Sequence, residues 1–481
     1  MMRSLFSGVS GLKVHQTKMD VIGNNISNVN TIGFKSSTVT FSDVLYQTTQ
    51  SASGPNATTG TTGRNAMQVG LGSTVAAITT SITTSGASQR TDNPFDVMID
   101  GDSFFIVNSG GTNYFTKAGS FKVDSQGTLC TSSGASVMGW QVDPEDSTKT
   151  EAAAVTPLKI MSPENLYAAP SATTAAYIKG NIDSKDTQLA SNSTGAGINM
   201  TFFDSLGNSY TAELKVWQSD DNTNIYKVGV ADVKDSSGQS IFVRKIVDDA
   251  TGDVTYETSS IDSVSLGGAD IGATLNEDGS VTMDNGSAPL LNFNAATGAF
   301  VSVGEDEGQK SLKFSITDGS TSSPFKDIDI DFSSITMYSS SGSSSLEATK
   351  GSLKGVGAGK QVGSMTGVNI DVSGKIYGKY DNGDSRLLGQ VAVASFANPA
   401  GLESVGNSMY ATTQNSGDFD GVGQDPTKGG GSLTTGVLEM SNVDLAQQFT
   451  DMITTQRGYQ ANSRIITTSD TLLEELINLK R

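Results

Sequence analysis

Residues 456–481 read QRGYQANSRIITTSDTLLEELINLKR, and the reading of this stretch decides the fold. Leu445, Met452, Tyr459, Ile466 and Leu473 recur one heptad apart, with Phe449, Ile453, Ile465, Leu472, Leu476 and Ile477 beside them. An apolar stripe that returns every three to four residues marks an amphipathic helix built to lie against another helix. No Pro or Gly turn follows to fold a partner back, so the partner is expected from elsewhere. The start of the chain offers one. Leu5, Val9, Leu12, Met19, Ile22, Ile26 and Val29 carry the same kind of stripe, interrupted at Gln16. Both ends are therefore expected to be paired helices.

The first helix is expected to stop within Gly23–Lys35, GNNISNVNTIGFK, because Asn and Gly tolerate left-handed backbone and cap helices. The last is expected to begin near Ser441, with Ser441 or Asn442 as N-cap and Asp444 in the first turn. Between them the pattern is β. TVAAITTSI (74–82) alternates, FDVMIDGDSFFIV (95–107) reads as strand, turn and strand, and FKVDSQGTL (121–129) as a hairpin around Asp124–Gly127. Gly/Asp turns at DSLGN, DSSGQ, EDGS, DNGS and TDGS punctuate the middle of the chain, with strands such as TAELKVW and LKFSI between them. That spacing argues for a sandwich or barrel-like module. The expected organisation is an N-terminal helix (1–35), an extended connector (36–72) and a first part of a β domain (73–160). An inserted outer β domain or domains (161–355), the second part of the first domain (356–435) and a C-terminal helix (436–481) follow. Lys350–Ser364, KGSLKGVGAGKQVGS, reads as a linker. The fold class is thus mainly β with paired terminal helices, in a nested order.

Charge narrows the partners. The chain carries −19 over 481 residues; +3 lies in residues 1–40 and −1 in 441–481, which leaves −21 between. Such an acidic, Ser/Thr/Gly-rich interior repels nucleic acid and anionic lipid. No segment approaches the about 20 apolar residues of a membrane span. The opening MMRSLFSGVSGLKVHQ lacks the unbroken apolar run of a secretory signal, so no cleaved signal and no membrane insertion are expected.

Chemistry is sparse. His15 is the single histidine, which excludes a metalloprotease pair, and Cys130 is the single cysteine, which excludes an intrachain disulfide. GVGAGK (355–360) fails as a phosphate loop, because Lys354 stands where the first Gly belongs and Gln361 where the hydroxyl belongs. Asp327, Asp329 and Asp331 alternate along one strand face, a flat row unlike a converging calcium loop. No enzyme, cofactor or metal is expected.

Several stretches resemble one family. GNNISNVNTIGFK (23–35), IDGDSFFIV (99–107), YFTKAGSFKVDSQGTL (114–129) and the whole of 436–481, with SNVDL and QRGYQANSR in order, are similar to the bacterial flagellar axial proteins, the rod and hook subunits. DSLGNSY (204–210), LLGQVAVASFANPAGLESVGNSMYATTQNSG (387–417) and the long central insert resemble the hook proteins within that family. The resemblance implies a nested axial-protein architecture whose helices line an inner tube with β domains outside. It implies a self-assembling homopolymer, a flexible universal joint that passes torque from rod to filament outside the cell. Rod and hook–filament junction proteins, the hook cap and the type III export apparatus are the implied partners. The implied assembly residues are the stripes named above and the motif residues Asn24, Asn25, Asn28, Gly33, Phe34, Asn442 and Asn462. The alternatives are a distal-rod protein and a surface-displayed binding module on the same scaffold. Two positions depart from the family: an acidic residue is common where Gln447 or Gln448 stands, and Ala where Gly458 stands.

Overall fold

The computed structural model describes residues 2–55, 60–143, 149–150, 153–190, 193–219, 224–247, 254–259, 261, 263–276, 279–304, 306, 308–317, 323–428 and 431–479. The turns at EDGS and TDGS fall partly outside these. The chain is mainly β with one helix at each end, α1 (Met2–Ser27) and α2 (Leu445–Asn478). It divides into two units, residues Met1–Leu166 with Thr366–Lys379 and Ser385–Arg481, and residues Tyr167–Met365 with Tyr380–Asp384.

In the first unit α1 stops as the Asn-rich stretch begins, where Asn28 N–H donates to Asn24 O and Asn25 O at 3.2 and 3.3 Å. The N-cap of α2 is Asp444, whose carboxylate accepts from Ala446 N and Gln447 N at 2.9 and 3.2 Å. This corrects the expected Ser441 or Asn442 cap. Asp444 reaches two of the orphan donors of the first turn, while the Asn442 amide is held elsewhere.

The helices run antiparallel: Gly8 and Gly11 of α1 face Asn462 of α2, His15 faces Gly458, and Asn25 meets Gln448. Their seam corrects the expected stripe. On α2 the buried residues are Gln448, Thr455 and Ser469, a heptad series that half-buried Asn462 completes. Of the apolar heptad, Met452 and Ile466 are half-buried, while Leu445, Tyr459 and Leu473 are exposed. The reason is the spacing of the backbones. A Cβ on Gly11 would stand 2.7 Å from Asn462 Nδ2, and one on Gly8 3.3 Å from Ile466 Cγ1. At that approach only small or slender side chains fit between the axes, so the larger apolar ones turn outward.

Residues 36–72, expected as an extended connector, are partly paired strands. They hold β1 (Ser37–Asp43), β2 (Tyr46–Gln50) and β3 (Met67–Gly70), and β4 (Ser73–Thr80) follows. β1 pairs antiparallel with β4 from Ser37↔Thr80 to Asp43↔Ser73, and β2 with β3. Because β1 finds its partner so far along the chain, its short STVTFSD sequence carries little local sign of pairing. Farther on, Phe104–Ser109 lies between Thr112–Thr116 and Ser136–Gln141, and Ser136–Gln141 also pairs with Ser385–Val391. The nested order is visible in the register: Val97–Asp100 pairs with Ser432–Thr435, and Ser88–Arg90 with Val437–Glu439. Phe104, Ile106, Phe115 and Trp140 form the core, with the Trp140 indole N–H donating to Ala153 O and Val422 O. The hairpin at Asp124–Gly127 forms as expected, Asp124 Oδ1 accepting from Gln126 N and Thr128 N.

The described residues of the second unit form two large sheets and a two-stranded one, Val243–Val247 with Val254–Thr258. One large sheet has five strands, Ala196–Phe203, Ser209–Gln218, Ile225–Asp235, Leu290–Phe293 and Phe300–Val303. The other has seven and is antiparallel except where Ala175–Asn181 runs parallel to Ile328–Thr336. Ile198, Met200, Phe202, Leu214 and Val228 of the first sheet share one core with Ile178, Phe314, Ile330 and Phe332 of the second. Alternation sets this: Ile328, Ile330 and Phe332 are buried, while between them Asp329 is exposed and Asp331 half-buried; Asp327, exposed just before the strand, lies 3.2 Å from Lys313. The stretch Lys350–Ser364 is no free linker. Gly357 O accepts from Thr174 N and Ala175 N, and Ser171 bridges to Lys360. Gly359, at φ +67°, lies where a Cβ would meet Thr173 Oγ1 at 2.4 Å. Here glycine serves close backbone approach instead of flexibility.

Phe314 is fully buried in this core and touches Phe202 edge-on, ring centroids 6.0 Å apart. Phe314→Ala is expected to destabilise the second unit by about 3–5 kcal/mol through cavity formation. Hydrogen exchange at the strands Ala196–Phe203 and Ser209–Gln218, measured against denaturant, checks it.

Candidate assembly site: the helix seam and its buried latch

Where the two chain ends leave the β sheets they are held by a buried polar cluster. Lys35 Nζ lies 2.7 Å from Glu439 Oε1, and both side chains are 1% exposed. Lys35 also donates to Thr84 O at 2.8 Å, while Glu439 Oε1 accepts from Gly86 N at 2.9 Å and Glu439 O from Gly33 N at 2.9 Å. Gly33 sits at φ +67°, with the backbone of Ala118 where a Cβ would go, 2.7 Å from its nitrogen. Nearby, buried Lys117 donates to Gly101 O at 2.6 Å and lies 5.0 Å above the Phe104 ring. Burial pushes the Lys117 ammonium down to about 8; Glu439 partly opposes this and Lys35 adds to it.

Two amides extend the cluster into the helices. Asn25 Nδ2 donates to Ser37 O at 2.8 Å and to Gln448 Oε1 at 3.0 Å, and Asn25 Oδ1 accepts from Ser37 N at 3.0 Å. Asn442 Oδ1 accepts from Ser36 N at 2.7 Å, and its Nδ2 donates to Ser81 O and Thr84 O at 2.9 and 3.1 Å. Each amide stands in for a strand partner, so backbone groups that leave the sheets stay paired.

The sequence-derived assembly residues fall into three places. Asn25, Gly33 and Asn442 are in the latch. Ile22 is buried in the seam, and Leu5, Leu12, Met19, Ile26, Met452, Asn462 and Ile466 are half-buried in or beside it. Val9, Leu445, Phe449, Tyr459, Leu473 and Leu476 are exposed. Asn24 and Asn28 bond each other beyond the latch, Asn28 Nδ2 donating to Asn24 O at 2.9 Å, and Phe34 is half-buried. Sequence reasoning missed Lys35, Glu439, Gln448 and the small seam residues. The available signal was the single charge closing each of the apolar phrases IGFK and GVLE. Gly458 also gains a reason: the His15 ring lies on it, 2.7 Å from where a Cβ would stand.

The matches to known proteins fall on these parts. Residues 5–35 match the family described as flagella basal body rod protein, and 98–169 the flagellar hook protein FlgE/F/G D1 domain. Residues 434–479 match the flagellar basal body rod FlgEFG protein C-terminal family. These place the chain among rod-and-hook axial proteins. Over its full length it is 36% identical to the flagellar hook protein FlgE of Borreliella burgdorferi and 34% to that of Treponema pallidum, each alignment covering all of both chains. The hook protein FlgE of Escherichia coli is 30% identical over 98% of each chain. A solved structure of Helicobacter pylori flagellar hook protein FlgE2 covers 72% of this chain and 98% of its own, at 14% identity and a TM-score of 0.33. The chain belongs to the flagellar hook protein FlgE family.

Breaking a buried ion pair from one side leaves the other charge unpaired, at a cost of about 3–5 kcal/mol. Glu439→Gln is expected to lose that much in the first unit, and the Lys35→Met/Glu439→Leu double variant less than Glu439→Gln. Denaturant melts of the two variants against the unaltered chain check it.

Proposed function

We propose that this chain is a non-enzymatic structural subunit of the flagellar hook, polymerising with copies of itself through the outer faces of α1 and α2. One observation carries the reading. The α2 side of the seam inside the chain buries Gln448, Thr455 and Ser469, with half-buried Asn462, Met452 and Ile466 beside them, while Leu445, Phe449, Ile453, Ile465, Leu472, Leu473, Leu476 and Ile477 of α2 are exposed. Burying a large apolar side chain fully contributes about 1.5–3 kcal/mol. Eight that are already about half-covered would supply on the order of 6–12 kcal/mol per subunit. That is comparable to the about 4–15 kcal/mol lost in freezing one subunit onto another. A single pair of copies is therefore marginal, and a lattice in which each copy touches several others is favoured.

In this reading the polymer is a tube outside the cell that bends while transmitting torque between rod and filament. It meets rod and junction proteins at its ends and the cap during growth. The unit formed by Tyr167–Met365 and Tyr380–Asp384 is its outer domain, and the acidic charge of the middle of the chain keeps the outer surface hydrated.

Ile453→Asp and Leu476→Asp are expected to abolish tube formation while leaving subunit melting unchanged, because both sites are exposed in the subunit. Met452→Asp and Ile466→Asp should weaken the helix pair as well. Electron microscopy and calorimetry of the four variants separate the two effects; unimpaired tubes from Ile453→Asp and Leu476→Asp would remove the proposed surface. Replacing Tyr167–Met365 with a short linker is expected to preserve tubes and alter their curvature. A soluble, folded product that forms no tube would move the essential contacts into the outer unit.

A further inference from the structure

The single histidine of the chain lies at a close approach of the helix pair, as tight as that of Gly11 to Asn462. The His15 ring is laid on Gly458, where a Cβ would stand 2.7 Å from Cε1 and 2.8 Å from Nε2. It meets Phe41 of β1 edge-on, with ring centroids 6.0 Å apart and planes at 84°. Three elements thus close on one imidazole. Its Nδ1 is sealed from solvent and has no hydrogen-bond partner among the described residues. Thr455 Oγ1, about one turn before Gly458 on α2, is in the same condition.

The charged groups around it offer no relief. Lys18 follows one turn along α1, with its ammonium 3.7 Å from Asp451 of α2. Arg457, beside Gly458, is exposed and bonds Gln460. On β1, Asp43 stands two residues beyond Phe41 on the same strand face and is exposed. None of these carboxylates forms an ion pair with the ring.

We propose that His15 is a proton-sensitive lock on the α1–α2 pair: neutral, its ring fills the space above Gly458 and closes the seam, and protonated, it opens it. Protonation adds a charge and makes both ring nitrogens donors, while buried Nδ1 has no hydrogen-bond partner among the described residues, so the ring has to leave or the helices have to part. Burial, and then the charge of Lys18, hold the imidazole below its ordinary value of 6.5. The sign follows. The open chain binds the proton more readily than the closed one, so closure is fully favoured above about 6.5. It loses favour as pH falls from there towards the lowered midpoint. The glycine at 458 is part of the device, since a methyl group there would push the ring out at any pH. The lock acts within one chain, whether or not that chain has polymerised.

With one histidine in the sequence, the full-length chain gives one imidazole signal, and nuclear magnetic resonance of histidine-labelled protein reads its titration directly. The expected midpoint lies below 6.5. Hydrogen exchange over residues 2–27 and 445–478, corrected for intrinsic rates, is expected to lose protection between about pH 7.5 and about pH 5.5, by at most about tenfold, the ceiling set by an ordinary imidazole value of about 6.5. His15→Phe should remove that loss, and His15→Gln serves the same comparison should the bulkier ring fail to fold. A midpoint at or above 6.5, unprotected helices at about pH 7.5, or an equal acid loss in the variant that folds would each overturn the lock.

Discussion

A lysine and a glutamate 404 residues apart in sequence meet inside the protein at 2.7 Å, and the architecture of the first unit hangs on that contact. Two charges out of water are tolerable only when paired and hydrogen-bonded; here the pairing rests on Glu439 Oε1, while Oε2 is buried without a partner among the described residues. Lys35 has Thr84 O, Glu439 has Gly86 N, and both have each other. Satisfying all of them fixes the exit of α1, the loop after β4 and the strand before α2 in one arrangement. Asn25 and Asn442 carry the same constraint into the helices, and Asn25–Gln448 then aligns one end of the antiparallel pair. Hydrophobic burial alone would permit neighbouring registers; this polar cluster does not.

From that register the distribution of side chains follows. The axes come close at Gly8, Gly11 and Gly458, so the interior of the pair is filled by His15, Asn462, Thr455 and Ser469. A lone helical hairpin would put its large apolar side chains inside. This one keeps many of them outside, which leaves the pair modestly stable within the chain and supplies surface for neighbours. The trade is coherent for a protein whose helices have to join a lattice: what is withheld from the monomer's core remains for the contact between copies.

The second unit makes the opposite choice. Its two large sheets close over one apolar core, with Phe202, Phe314 and Phe332 buried and Asp327 and Asp329 turned outward. Its glycines at positive φ, such as Gly357 and Gly359, fold the last loop back onto Thr173 and Thr174.

Periodicity and turn chemistry are local, so the sequence alone specified the two terminal helices, the hairpin at Asp124–Gly127 and the β character of the middle. It also carried the family, because Asn-rich helix exit, SNVDL and QRGYQANSR are contiguous phrases. Which face of α2 points inward was not legible. A hydrophobic stripe reports that a face will be buried, and the backbone separation set by Gly8 and Gly11 against Asn462 decides by whom. The strand β1 was missed for a related reason: its partner β4 lies some thirty residues away, and half-exposed pairing leaves only a faint alternation. The cap of α2 passed to Asp444 because Asn442 was already taken by Ser36, Ser81 and Thr84. Lys35 and Glu439 looked like surface charges by residue type. Only the tertiary structure, by bringing both into one dry site, made them the joint between the ends of the chain.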